Sequence, residues 1–325
     1  MTVAPNTDSR MAFIGLGEMG KAMTRNLHRD GNLTSPLTLW NRTKSTADAH
    51  SADLGDCKVA ETVQEAVESA EIIWSCLQDQ SAVEQVFDSI FAADVNITGK
   101  LFVDSSTIAP EWSNATAKRV IEAGGEFVSM PEKLPVMGEP VVAAAKKLIC
   151  IPSGKPESVD RIRPYLEGVV CRAIVDLSGE EPGTSSLLKL MGNFLIMTTM
   201  ETVAEVNVFA DKSGIGTKNM NKLMGAMFPN PPHAIYNHRM LTGEYYEGTP
   251  IVEVYKALAL TGQVLDMAKS CGASVPIYEV AREHLKLVQE HEGSKADITG
   301  IYGAVRVKSG LPYRNGAAEG SSNEK

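Results

Sequence analysis

The sequence predicts an α/β domain built on a largely parallel sheet, followed by an all-α domain. Three observations carry this. Short apolar runs alternate with helix-patterned stretches up to about residue 176, a Gly-Glu-Glu-Pro-Gly break follows at 179–183, and beyond it only helical periodicity recurs. A chain of 325 residues is long enough for two cores of ordinary size.

In order, MAFIG, LTLWN, EIIWSCL, KLFVDSS, EFVSM, KLICIPS and CRAIVDL are expected as strands, because each is short, apolar and rich in β-branched or aromatic residues. Between them, 18–29, 81–91, 110–122 and 156–166 carry helical spacing, and Pro110 marks a helix start. The second half is expected to hold helices over 184–213, 218–227, 233–241, 251–270 and 275–291, separated by Gly and Pro punctuation. The domains are placed at 11–178 and 179–314, with 1–10 and 315–325 as polar, flexible tails.

With 43% apolar and 22% charged residues, the composition is that of an ordinary globular protein. A net charge of −9 argues against nucleic acid or an anionic membrane as the main partner. Cys57, Cys76, Cys150, Cys171 and Cys271 are odd in number and scattered, which predicts free thiols rather than a disulfide framework. The N-terminal stretch lacks the basic and apolar regions of a signal peptide, and no run approaches the roughly 18 apolar residues of a membrane span. A cytoplasmic location is the expectation.

Gly15-Leu16-Gly17-Glu18-Met19-Gly20 directly follows a strand and opens a helix. In that setting the first glycine permits a tight turn, the second a close approach of backbone to pyrophosphate, and the third close helix packing. The reading is a Rossmann-type doubly wound sheet with a dinucleotide site. An acid at the end of the second strand would pair with the ribose 2′-hydroxyl of NAD, but this chain has Asn41-Arg42-Thr43 there. A guanidinium fork suits a 2′-phosphate, so NADP(H) is favoured over NAD(H). Leu77, at the end of the third strand-like run, is placed over an adenine or ribose face, and Ser106 and Thr107 on the nicotinamide side. Ser-Ser-Thr ahead of a helix is also a capping sequence.

These segments, with GTSSLLKLMGNFL and VYKALALTGQVLDMAKSCGASVPI, resemble in order and spacing the β-hydroxyacid dehydrogenases, the family of 3-hydroxyisobutyrate and 6-phosphogluconate dehydrogenases to which imine reductases are related. The resemblance covers nearly the whole ordered chain and implies an NADP(H)-dependent oxidoreductase that forms a homodimer through its helical domain. It implies that Lys189 is the catalytic lysine and Asn193 its asparagine partner. Helix geometry agrees, since residues four apart share a face, about 6 Å apart along the axis. Lys189 would donate a proton as negative charge grows on a carbonyl oxygen, and accept one in the reverse direction. Lys256 aligns with a second family lysine near the cofactor, but Ala257 replaces the aspartate that usually follows it.

A second departure lies at Lys133-Leu134-Pro135-Val136-Met137-Gly138-Glu139, where the family pattern is Asp-x-Pro-Val-Ser-Gly-Gly. Pro135, Met137, Gly138 and Glu139 are expected at the substrate, and the exchanges point to one that is bulkier, less acidic or even cationic. Tyr236 and Arg239 are further candidates for substrate contact. His233 and His238 lack partners at metal-ligand spacing, so no metal is expected. Two alternatives remain: an imine reductase or reductive aminase, against which retention of Lys189 argues, and a non-catalytic NADP(H)-binding sensor or chromatin reader.

Overall fold

The computed structural model describes residues 9–133, 143–228 and 232–316. By internal contacts the chain forms two units, and the division falls within one helix, between Lys189 and Leu190.

The first unit is a sheet wrapped by helices. Strands β1 (Met11–Ile14), β2 (Leu37–Trp40), β3 (Cys57–Val59), β4 (Ile72–Ser75), β5 (Leu101–Asp104) and β6 (Glu126–Ser129) alternate with helices α1 (Glu18–Asp30), α2 (Lys44–Leu54), α3 (Val63–Glu68), α4 (Gln80–Ala92) and α5 (Pro110–Glu122). They lie in the order β3-β2-β1-β4-β5-β6, all parallel. Strands β1, β4 and β5 are buried at every residue, as continuous apolar runs covered on both faces must be. The strand order reverses between β1 and β4, and at such a switch point the loops beyond the carboxyl ends diverge to leave a crevice.

The last part of this unit departs from expectation. KLICIPS and CRAIVDL each divide between two sheets. Leu148–Cys150 pairs with Cys171–Ile174 on one side and Glu132–Lys133 on the other in a separate three-stranded sheet, whereas Ser153–Gly154 and Leu177–Ser178 extend the main one. Ser153–Gly154 runs antiparallel to β6. In KLICIPS the break falls at Ile151 and Pro152, and Pro152 has no N–H for a ladder. Helices α2 and α3 and strand β3 escaped the sequence reading because KSTADAHSADL shows no apolar stripe and β3 is a three-residue edge strand. Arg10, assigned to the N-terminal tail, belongs to the sheet margin: its carbonyl accepts from Glu71 and Ile72, and its guanidinium pairs with Glu71.

The helix α6 (Pro156–Ile162) precedes a long helix, α7 (Pro182–Lys212), which begins in the first unit and continues into the second. The second unit adds α8 (Thr217–Met227), α9 (His233–Thr242), α10 (Glu244–Glu247), α11 (Val254–Ser270), α12 (Pro276–Glu292) and α13 (Ile301–Lys308). Its core gathers Met197, Met200, Val203, Tyr236, Tyr278, Leu285 and Tyr302. Asn315, expected in the flexible tail, is tied down by bonds from its amide to the carbonyls of Met240 and Leu241. No helix among the described residues is long and apolar enough to cross a membrane. All five cysteines are free thiols.

Candidate dinucleotide and catalytic site

The turn from β1 into α1 is dictated by its glycines. Gly15 has φ +97°, and a Cβ there would run into the carbonyl of Cys76 and the Leu77 side chain, while a Cβ at Gly20 would strike the Gly15 carbonyl. Gly17 differs: a Cβ there would meet no protein atom within 4 Å, so the protein's own packing does not require glycine. Gly17 is the N-cap of α1 and no side chain caps it, leaving the first amides of the helix to an outside acceptor. Glu18, in the first turn, is exposed and paired with Lys21 at 3.3 Å. A bare helix N-terminus behind an uncluttered glycine fits the pyrophosphate of a dinucleotide. Leu16 is buried in the core, and Met19 packs against that core.

The end of β2 is joined to this loop. Asn41 Oδ1 accepts from the backbone N–H of Leu16 at 3.0 Å, and Asn41 Nδ2 donates to the Thr43 carbonyl at 3.1 Å. Asn41 therefore braces the loop with both ends of its amide. Arg42 and Thr43 are exposed, and Arg42 makes no ion pair with the described residues, whereas its neighbour Lys44 is paired with Asp48 and Glu61.

Between β4 and β5 lies a polar cluster that the sequence reading missed. The Asp104 carboxyl is buried, and its Oδ1 accepts from the Ser75 hydroxyl at 2.8 Å, the Ser106 hydroxyl at 2.6 Å and the Ser106 N–H at 3.2 Å. Burial pushes the Asp104 pKa up, opposed by these donors and by the charge of Lys189. Ser106 Oγ also accepts from the Leu77 N–H at 2.9 Å, so its single proton and an acceptor lobe are engaged within the protein. Ser106 thus clamps the two strand ends through its side chain. The one sequence signal of this cluster is an acid closing the otherwise apolar run LFVD.

Thr107, exposed one residue on, accepts a hydrogen bond from Lys189 Nζ. Lys189 reaches it because the start of α7 is fixed to the sheet. The Gly183 N–H donates to Asn114 Oδ1 at 2.6 Å, Ser185 Oγ donates to Ser129 Oγ at 2.9 Å, and Ser153 Oγ donates to the Pro182 carbonyl at 2.9 Å. A Cβ at Gly183 would lie 2.5 Å from the Pro110 carbonyl, which explains the glycine in GTSS. Lys189 is therefore held relative to β5 by the first unit itself. Asn193 lies one turn further along the same helix and is buried.

In the second unit, Lys256 stands in the first turn of α11, exposed and paired with Glu253 at 2.6 Å. Tyr236 is fully buried in the helical core. Arg239 is held by Glu244 at 3.0 Å and by buried Asp297 at 2.7 Å, and also donates to the Thr249 carbonyl. Both were expected at the substrate; Tyr236 is buried in the core of the second unit, and Arg239 is held within that unit by Glu244, Asp297 and the Thr249 carbonyl. Pro135, Met137, Gly138 and Glu139 lie outside the described residues. His233 stacks on Phe228 and His238 pairs with Glu244; no group of three potential ligands able to hold a metal ion occurs among the described residues.

Comparison with known proteins agrees with this geometry. A profile of the NAD binding domain of 6-phosphogluconate dehydrogenase matches residues 10–175, and one described as the NAD-binding region of NADP-dependent 3-hydroxyisobutyrate dehydrogenase matches 183–305. The chain belongs to the β-hydroxyacid dehydrogenase family. Among its relatives in that family, the NADH-dependent oxidoreductase ucdB of Aspergillus ustus is 57% identical over 91% of this chain and 98% of its own. The 2-hydroxy-3-oxopropionate reductase of Escherichia coli is 26% identical over 92% and 97%. The Mycobacterium tuberculosis 3-hydroxyisobutyrate dehydrogenase, solved with L-serine, shares the fold with a TM-score of 0.76 at 20% identity, over 92% of this chain and 99% of its own. As a β-hydroxyacid dehydrogenase family member, the protein is an oxidoreductase that binds a nicotinamide dinucleotide.

Proposed function

We propose that the protein interconverts a carbonyl and a hydroxyl group on a small substrate with NADP(H), using Lys189 as general acid and base. The observation that carries this reading is the Lys189 ammonium resting on Thr107 at the carboxyl end of β5, where a doubly wound sheet binds its ligands. A bound nicotinamide supplies or accepts the hydride. Gly15, Gly17 and the amides of α1 hold the pyrophosphate, and Leu77 and Thr107 border the same crevice. Lys189 delivers a proton from Nζ to the substrate oxygen as negative charge develops there, and takes it back in the oxidative direction. Asn193, neutral at every pH, orients that oxygen or an adjoining carboxylate. The test is NADPH consumption by purified protein against glyoxylate, succinic semialdehyde and ketone–amine mixtures. Turnover of a carbonyl alone supports the reading, and turnover only with an amine present contradicts it.

Arg42 supports NADP(H), being an exposed guanidinium that pairs with no acid among the described residues, where the ribose phosphate would lie. A second reading, NADH, is favoured by the printed name of the 57% identical relative. The ratio of the two cofactors' kcat/KM decides between them.

We infer also that the protein is a homodimer. Leu195 and Phe209, two heptads apart on α7, are 66% and 72% exposed, and Ile277 and Val280 on α12 are exposed as well. Large apolar side chains repeated along one helix face suit burial against a second copy. Light scattering should give twice the chain mass, and Phe209→Asp should lower it toward one.

A further inference from the structure

Asp104 has a local explanation, as an acceptor for two serines, yet a buried carboxylate is a costly way to tie two strands. An asparagine or a second serine would accept the same bonds without the desolvation of a charge. Three donors converge on a single carboxylate oxygen, an arrangement that favours the ionised form. The charge of Lys189 works with these donors against the burial that raises the Asp104 pKa. Lys189 in turn rests on Thr107, three residues beyond Asp104 on the same strand end.

We propose that Asp104 is a positioning residue of the reaction: the fixed negative charge, set behind the Ser75–Ser106 layer, that keeps Lys189 in its ammonium form beside Thr107. The proposal rests on the reading of Lys189 as acid and base. Coulomb attraction through a poorly solvated layer is stronger than through water, so it holds the Lys189 proton until an incipient alkoxide, a stronger attraction at shorter range, draws it away. A second consequence is mechanical. Ser106, held by Asp104, fixes the Leu77 N–H, and Leu77 lies where any side chain at Gly15 would strike it, so the same residue braces the cofactor loop.

The test is Asp104→Asn, which retains an oxygen to accept from Ser75 and Ser106 and removes the charge, with an NH2 group in place of the other oxygen. In the direction of carbonyl reduction, activity requires Lys189 protonated and falls as pH rises through its titration. The variant's alkaline limb of kcat/KM is expected to move to lower pH by roughly half a unit or more, with NADPH affinity within about twofold of the parent. Ser106→Ala, the mechanical control, is expected to weaken dinucleotide binding while leaving the limb in place. An unmoved limb in Asp104→Asn, with Lys189→Ala inactive, overturns the proposal and leaves the function standing. Full activity of Lys189→Ala overturns both. Should Asp104→Asn fail to fold, the carbon-13 resonance of the Asp104 carboxyl in the intact protein serves instead. A carboxylate at pH 7 whose titration midpoint rises in Lys189→Met is expected, and a protonated group at pH 7 or an unchanged midpoint refutes the assignment.

Discussion

The Asn41 side-chain oxygen accepts the Leu16 backbone N–H at 3.0 Å, so the residue that follows β2 is tied to the glycine loop that follows β1. The neighbouring Arg42 takes no part in that brace and is left exposed. The two residues should therefore fail differently. Asn41→Ala strands a loop N–H and is expected to weaken NADPH and NADH alike, by roughly fivefold for a bond of about 1 kcal/mol. Arg42→Ala should weaken NADPH by about tenfold or more and leave NADH nearly unchanged. Fluorescence titration with both cofactors checks this, and equal losses in Arg42→Ala would contradict the phosphate contact.

The glycines offer a second contrast. Gly15→Ala places a side chain at φ +97° against the Cys76 carbonyl, and should destabilise the first unit by about 1–3 kcal/mol. Gly17→Ala meets nothing in the protein, so Tm should hold within about 2 °C while dinucleotide affinity drops at least about tenfold, because the methyl group lies where backbone must meet pyrophosphate. Intact affinity in Gly17→Ala would remove the loop from the cofactor site.

Arg239 is the main partner of a carboxylate that is 1% exposed, and Arg239 itself is only 13% exposed. Removing it leaves Asp297 with the Ile251 and Thr299 donors but no countercharge. Arg239→Ala should cost about 3 kcal/mol in urea unfolding, with KM of the folded protein unaltered. A raised KM at unchanged stability would restore it to the substrate.

The thiols should differ in reactivity. Burial, with Asp56 adding to it, pushes the Cys57 pKa up to about 11. At pH 8 only about one Cys57 in a thousand is then thiolate, and the fraction rises tenfold per pH unit until about pH 11. Iodoacetamide at pH 8 should modify exposed Cys271 well before Cys57, and mass spectrometry of timed digests reads the order.

How far the sequence carried depended on whether a signal was local. β1, α1 and the glycine turn were legible because strand, glycines and amphipathic helix lie within twenty residues. The long helix was legible from its uninterrupted periodicity, and Pro110 marked its helix to the residue. The partition of KLICIPS and CRAIVDL between two sheets was not, since either half of each run has the same apolar character and only tertiary pairing separates them. Asp104 escaped for the same reason: its donors come from Ser75, 29 positions away, as well as from Ser106. The setting of Arg239 was not legible either, since its buried partner Asp297 lies 58 positions distant and is invisible to local pattern.

The most direct test of the account is Lys189→Ala, with NADPH affinity and single-turnover carbonyl reduction measured on the same preparation. The expected result is near-parental affinity with the hydride-transfer step slowed by about 10²–10⁴-fold, the usual contribution of a positioned acid. Reduction at the parental rate in that variant would contradict it.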